Sequence, residues 1–400
     1  MADPVELILR FAYWYGRFLG VINFEVDWRT GKARITRRAT IFAAFNNGIL
    51  ISLLYVQKIN DGSLRLAWSN AHYLHEYFFL VITEVRHWAV LLTLFSRWRN
   101  RLRILRLWNQ LARMVSERPE VMGLYRRGIV LKFIIVFVSD TTHTVLDFSA
   151  QRKKLTLGLA VNLFVWFTFT TIFNVIVAQY FFAALLIYGH YILLHGDIKK
   201  LIKEAHRVSC IRNRRGGVFA TKCCTLADEL EILAQRQAKL QGILFDMGKI
   251  FQIQSLSVSF VYYLSTMGTI YYTFCSVLYN NTGLGSSYLG FLLIAISTVF
   301  FYADNFLTLN IGFLTKDELH GIHSDLTERT LFCQVLDERL EAAFDSFQLQ
   351  LAQFPREFYI LGLFKVERGT FMAMINSVIT HSIVLVQWEL QHKKYNNLIQ

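Results

Sequence analysis

The chain has 400 residues, 54% of them hydrophobic and 15% aromatic, and its mean hydropathy is +0.34. That is more apolar than a soluble globular protein, so two or three water-soluble domains are excluded in favour of one integral membrane domain. The net charge of +13 suits either nucleic acid or an anionic membrane surface, and its distribution along the chain decides between them.

The first twenty residues, MADPVELILRFAYWYGRFLG, carry Asp3, Glu6, Arg10 and Arg17 and no uninterrupted apolar core, so no cleavable signal is expected. Apolar segments then recur at about 39–56, 77–95, 129–146, 159–194, 250–279, 288–314 and 370–388. Each approaches or exceeds the 17–25 residues that cross a bilayer as a helix. The fourth and fifth are too long for the bilayer alone and are expected to project beyond it. The sequence therefore predicts an all-α polytopic membrane protein with seven transmembrane helices.

The intervening segments differ sharply in charge. Residues 1–38, 96–128, 195–249 and 315–369 hold 7, 9, 11 and 6 Lys and Arg, whereas 57–76, 147–158, 280–287 and 389–400 hold 2, 3, 0 and 2. Basic residues accumulate on the cytoplasmic side. The N-terminus is thus predicted in the cytoplasm and the C-terminus outside the cell. The run RWRNRLRILR (97–106) reads as a juxtamembrane anchor, and no nucleic-acid partner is implied.

Two of the basic segments are patterned. Leu226, Leu230, Leu233, Gln237, Leu240, Leu244, Met247 and Phe251 advance by fours and threes on one helix face. Ile198, Leu201, Ile202, Ala205 and Val208 extend the fourth span in the same way. Cys333, Leu336, Leu340, Phe344, Phe347 and Leu351 form a third stripe. The regions 195–249 and 315–369 are predicted to pack as a cytoplasmic helical bundle, with a helix lying on the headgroups as the alternative. None of the five cysteines falls outside, so no disulfide framework is expected. His206 with Cys210, Cys223 and Cys224 matches no standard zinc finger, and no metal is implied. Asn280 begins the one Asn-X-Ser/Thr glycosylation acceptor, in a predicted outside loop.

The last span holds a polar stripe. Gly369, Ala373, Asn376, Thr380, Ile383, Gln387 and Leu390 share one helix face. Small and weakly polar residues suit a close contact between helices. The same stripe, shared by copies around an axis, would also wet a pore, with Ile383 as an apolar level that closes it. Spacing alone leaves both readings open. Further polar groups lie in other spans: Glu84, Arg86 and His87; Asp140 and His143; Asn162, Asn174 and Gln179; Asp304 and Asn305. Glu84–His87 and Asp140–His143 are i,i+3 pairs that would satisfy one another locally. The alternative is a polar cavity between helices, walled by Trp88, Trp166, Tyr262, Tyr263, Tyr271, Tyr272 and Tyr302, as small-molecule pockets are. No Gly-rich phosphate loop, His-Glu-x-x-His or nucleophile elbow occurs, so neither an enzyme nor a cofactor is implied.

THSIVLVQW (380–388) resembles the C-terminal signature of insect gustatory receptors, Thr-Tyr, five apolar residues, then Gln-Phe. Thr380 and Gln387 match it. His381 stands where Tyr is usual, Ser382 takes the first apolar position, and Trp388 stands where Phe is usual. YWYGRFLGVINFEVDW (13–28), RATIFAAFN (38–46), TKCCTLADEL (221–230) and LTERTLFCQVLDERLEAAFDSFQLQLAQ (326–353) are similar to the divergent members thought to detect bitter compounds.

The resemblance implies a taste receptor acting as a ligand-gated cation channel for Na, K and Ca. It implies a homo- or heterotetramer with other gustatory receptors, in the plasma membrane of gustatory receptor neurons. The seventh helices would surround the pore, with Asn376, Thr380, Ile383, Gln387 and Trp388 as pore and gate residues. The tastant, a small molecule, would sit toward the outer side of each subunit, near Glu84, His87, Asp140, His143, Trp166, Tyr271 and Tyr302. Sugar-sensing members usually carry Glu where Ser382 stands, which points away from a sugar. A subunit that conducts only beside partners is an alternative. A G-protein-coupled receptor would need an outside N-terminus, and neither Asp-Arg-Tyr nor Asn-Pro-x-x-Tyr is present.

Overall fold

The computed structural model describes all residues except 1–3, 61–73, 152–156, 212–216, 279–287, 333–335, 354–358, 361–363, 366 and 400. Asn280 and Cys333 lie outside the described residues. The described helices are α1 (Pro4–Phe18), α2 (Arg37–Asn60), α3 (Leu74–Arg99), α4 (Arg101–Glu117), α5 (Val121–Gln151), α6 (Leu157–Ser209), α7 (Gly217–Leu278), α8 (Tyr288–Phe332), α9 (Glu338–Gln353) and α10 (Arg368–Ile399). Two antiparallel hairpins of two-residue strands interrupt them. β1 (Glu25–Val26) pairs with β2 (Ala33–Arg34), and β3 (Tyr359–Ile360) with β4 (Phe364–Lys365). The sequence reading did not anticipate either hairpin.

The helices are long because little in the sequence stops them. Of three prolines, Pro4 opens α1 and Pro119 falls between α4 and α5, the places a residue without a backbone N–H does least harm. Gly20 ends α1 with φ +73°, and the amides of Gly20, Val21 and Ile22 close onto the carbonyls of Arg17 and Gly16. A Cβ there would meet Asn47 Oδ1 at 2.5 Å, so glycine serves both the turn and the contact with α2.

Each segment read as a span lies within one helix, except that residue 279 is outside the described residues. Among the described residues, four helices contain a stretch long and apolar enough to cross a membrane by length and composition: Arg37–Val56, Leu163–Ser209, Leu292–Glu328 and Arg368–Gln391. α3 carries Glu84, Arg86 and His87 in its middle, and α5 carries Lys132 and Asp140. At 1.5 Å per residue, the 53 residues of α6 and 62 of α7 extend roughly 80 and 90 Å, far more than a ~30 Å hydrocarbon core.

α6 is the central element. Phe169, Ile172, Phe173, Phe181, Ile187, Tyr191 and Ile198 are almost wholly enclosed. α5, α7 and α8 pack around it, α3 lies on α7, and α10 lies outermost, with α7 as its principal neighbour. Where α6, α7 and α8 continue past the apolar spans, α9 joins them. Leu226, Leu230, Leu233, Gln237, Leu240, Leu244, Met247 and Phe251 are all buried there, as are Leu340, Phe344, Phe347 and Leu351. Gln350 donates from Nε2 to the Ala234 carbonyl and to Gln237 Oε1, both at 2.9 Å, and so gives a buried amide a partner on the facing helix.

Candidate functional site

α10 has two unlike faces. Ile375, Val378, Ser382, Leu385 and Glu389 turn toward α7, with Val378 and Ser382 fully buried. Val378 joins Phe78 and Ile82 of α3 and Met267, Tyr271 and Cys275 of α7 in an apolar cluster separate from the main core. The opposite face is the stripe Gly369, Ala373, Asn376, Thr380, Ile383, Gln387 and Leu390, and every member is exposed. Ile383 keeps 50% of its surface and neighbouring Trp388 keeps 39%. Thr380 uses its hydroxyl locally, donating to the Asn376 carbonyl at 2.9 Å. The chain covers the Val378–Ser382 side of α10 and leaves the stripe uncovered, together with Met372, Ile379 and Val384.

Two polar rungs hold α10 to α7. Tyr263 Oη lies 2.9 Å from Ser377 Oγ and 2.8 Å from His381 Nδ1. Tyr271, fully buried, donates to Glu389 Oε2 at 2.7 Å. Eight residues separate the rungs on each helix, about 12 Å of rise. α7 and α10 therefore run parallel, as an odd-numbered pair of spans would. His381, which stands where the resemblance has Tyr, is one of the residues that ties α10 down.

A second polar cluster lies between α5, α6, α7 and α8. Asp140 Oδ1 accepts from Asn174 Nδ2 at 2.5 Å, and Asn174 Oδ1 accepts from the Tyr262 hydroxyl at 3.1 Å. Tyr262 is within electrostatic reach of Asp140, Asp304 and Arg86, and packs edge-on against Phe301 at 4.7 Å. Lys132 Nζ lies 2.6 Å from Asp304 Oδ1 and donates to Thr308 Oγ1 at 2.8 Å, with the lysine side chain 1% exposed. At the edge of this cluster, Arg86 of α3 stacks over the Trp166 ring at 4.4 Å and donates to Thr170 Oγ1 at 2.9 Å. Groups so costly to bury in a membrane persist here because helices distant in sequence satisfy them.

The structure brings some of the expected pocket residues together and separates others. Asp140 and Trp166 belong to the polar cluster. Tyr302 follows the Tyr262-packed Phe301, 5.9 Å from it. His87 is buried edge-on against Phe169 at 5.5 Å, and Glu84 is half-buried one turn away. The side chain of His143 lies outside the described residues, and the described partner of Asp140 is Asn174 on another helix. Two of the expected residues lie apart from this cluster. Trp88 is 59% exposed on α3. Tyr271 sits in the α7–α10 seam, because nine residues along a helix from Tyr262 carry it about 13 Å away. Sequence reasoning missed the Lys132–Asp304 pair. Its signal was one basic residue in the 129–146 segment and one acid in the 288–314 segment, with nothing local to join the two.

The comparisons bear on this arrangement. A family profile described as "7tm Chemosensory receptor" matches residues 9–392. The chain is 36% identical over 392 residues to a putative gustatory receptor 59d of Drosophila melanogaster, covering 98% of this chain and 100% of the relative. It is 33% identical over 395 residues to putative gustatory receptor 36b of the same organism, again covering 98% and 100%. Among solved structures it resembles in fold the insect olfactory receptor OR5 from Machilis hrabei, with a TM-score of 0.62 at 12% identity over 96% of this chain and 100% of that one. A structure of that receptor in complex with eugenol gives the same values.

Proposed function

Since the chain belongs to the 7tm chemosensory receptor family, we propose that it is a gustatory receptor acting as a ligand-gated, non-selective cation channel for bitter-class small molecules. It assembles as a tetramer in the plasma membrane of gustatory neurons, with four copies of α10 around the ion path. The observation that carries this reading is the uncovered stripe of α10. A membrane helix does not gain by presenting the amides of Asn376 and Gln387 to lipid, where such groups find no partner. Facing one another across a water-filled axis, they wet the path without holding a cation too tightly. Ile383 and Trp388 are the apolar levels that close it by dewetting.

The ligand site in this proposal is the region bordered by Asp140, Trp166, Tyr302, His87 and Glu84, with His143 on the same helix as Asp140. Apolar walls with a few fixed polar groups suit small organic compounds. The described fold likeness includes a receptor in complex with eugenol, a comparably small ligand. The test is current in cells expressing this chain alone while a panel of bitter compounds is applied. Evoked cation current supports both the receptor and the channel. Silence despite surface expression, persisting when related receptors are co-expressed, contradicts the channel.

A further inference from the structure

Two stretches of this chain hold no carboxylate at all, Trp28 to Asn60 and Val85 to Ser116. The fold lays parts of them side by side. Gly31, at φ +66° in the β1–β2 turn, sits so that a Cβ would lie 3.5 Å from Ala112 Cβ of α4. Two residues on, the Ala33 amide donates to Asn109 Oδ1 at 2.7 Å, and Asn109 Nδ2 returns a bond to the Ala33 carbonyl at 3.1 Å. At the other end, the Arg101 guanidinium bonds the Asn23 carbonyl at 2.7 Å and the Thr40 hydroxyl. Residues 31–40 therefore run antiparallel to 112–101. Between the ties lie Arg34, Arg37 and Arg38 on one side and Arg103 and Arg106 on the other, all exposed.

Two other arginines of the region are consumed by the fold. Arg97 is buried, bonding the Val21 carbonyl and Gln179 Oε1, and Arg17 pairs with Glu25 at 3.0 Å. Among the described residues, no carboxylate lies within ion-pair distance of Arg37, Arg38, Arg103 or Arg106. Two acids lie at the edge: Glu25, cross-strand from Arg34 and paired with Arg17, and Asp27, which the Arg29 amide and Thr30 hydroxyl engage at 3.0 and 2.9 Å and which is within electrostatic reach of Arg34. The patch lies where α2 begins and α3 ends, so it faces one membrane boundary. Exposed Ile41 and Phe45 of α2 and Phe95 of α3 form the apolar border above it.

We propose that this patch binds anionic phospholipid headgroups in the adjoining leaflet, and multiply phosphorylated headgroups most tightly. A guanidinium fork matches phosphate oxygens bidentately, and the four forks of Arg37, Arg38, Arg103 and Arg106, with no carboxylate in ion-pair distance among the described residues and Arg34 beside them, match several phosphates at once. Clusters of this size beside a membrane helix are attracted to anionic lipid, and exposed Leu102 supplies an apolar contact at the same level. The inference uses the membrane reading of α2 and α3 but not the channel reading, so a chain that passes no current can still satisfy it.

The probe is a fluorescent short-chain phosphatidylinositol bisphosphate, titrated against the full-length chain in detergent with short-chain phosphatidylcholine as competitor. Saturable binding is expected that phosphatidylcholine does not displace and that weakens as ionic strength rises. The variant R34Q/R38Q/R103Q/R106Q is expected to bind roughly tenfold or more weakly. The corresponding Arg→Lys variant keeps most of the affinity, because charge remains. The variant K200Q/K203Q/K222Q/R236Q, which removes the same charge elsewhere, binds as wild type does. Equal loss in that control, full binding by the patch variant, or displacement by phosphatidylcholine each overturns the proposal. If the glutamine variant aggregates, the wild type decides: binding insensitive to salt or matched by phosphatidylcholine overturns it.

Discussion

Tyr262 and Tyr263 are consecutive on α7 and point their hydroxyls to different partners, Tyr262 to Asn174 Oδ1 at 3.1 Å and Tyr263 to His381 Nδ1 at 2.8 Å. One helix thus touches the polar cluster and the uncovered helix within a single peptide unit. A small rotation of α7 that rearranges the first contact must also move the second. Tyr263→Phe removes the hydroxyl that meets both Ser377 and His381, at a cost of about 1 kcal/mol or more, about fivefold in an opening equilibrium. The expected result is a reduced maximal response to the strongest compound of a bitter panel at equal surface expression. A cycle with His381→Phe should be non-additive. Additive effects would detach His381 from the rung.

The buried Lys132–Asp304 pair predicts a stability effect independent of any ligand. Lys132→Met leaves a carboxylate enclosed by α5 and α8 and should cost about 3–5 kcal/mol, whereas the double change K132M/D304L should cost less. Thermal unfolding in detergent reads this as a lower midpoint for the single variant and partial recovery in the double. A single variant as stable as wild type means the lysine reaches water.

Leu233 and Leu240 lie in the chain's own bundle, 7% and 6% exposed. Leu233→Asp buries an unpaired charge at a cost of several kcal/mol. The chain itself should fail to elute as a single species, rather than merely separating from partner copies. Val218→Asp, at an exposed position of the same helix, should behave as wild type. Equal tolerance of both would mean the seam is open.

The proposed gate gives opposite expectations for neighbouring positions. Trp388→Ala and Ile383→Ala widen and wet an apolar level, and current should flow without ligand. Gln387→Ala removes a dipole with little change in width and should alter conductance or open probability instead. Basal current at matched surface expression checks all three. Silent Trp388→Ala and Ile383→Ala channels that still respond to ligand would move the constriction elsewhere.

What the sequence reveals depends on whether its pattern is local. Leu226 to Phe251 repeats by fours and threes, and a helix carrying that repeat has one side to bury, so its burial follows from spacing. The α10 stripe is legible for the same reason, since Asn376, Thr380 and Gln387 must share a face. Spacing does not reveal whether α7 or another molecule covers that face. Lys132 and Asp304 are invisible as a pair because 172 residues of folded chain bring them together. The β1–β2 hairpin escapes notice because its strands are two residues long, too short for an alternating pattern, and Asn109 of a distant helix holds it in place.

The most direct test of the central claim is cysteine accessibility on α10 during evoked current. Asn376→Cys, Thr380→Cys and Ile383→Cys would each be exposed to a charged thiol reagent while a responsive compound from the bitter panel holds the channel open, with Ser382→Cys on the opposite, buried face as the control. The account predicts that modification at the three stripe positions blocks or sharply reduces the current and that Ser382→Cys is spared. Current unchanged at all three stripe positions under proven modification, or loss at Ser382→Cys alone, contradicts it.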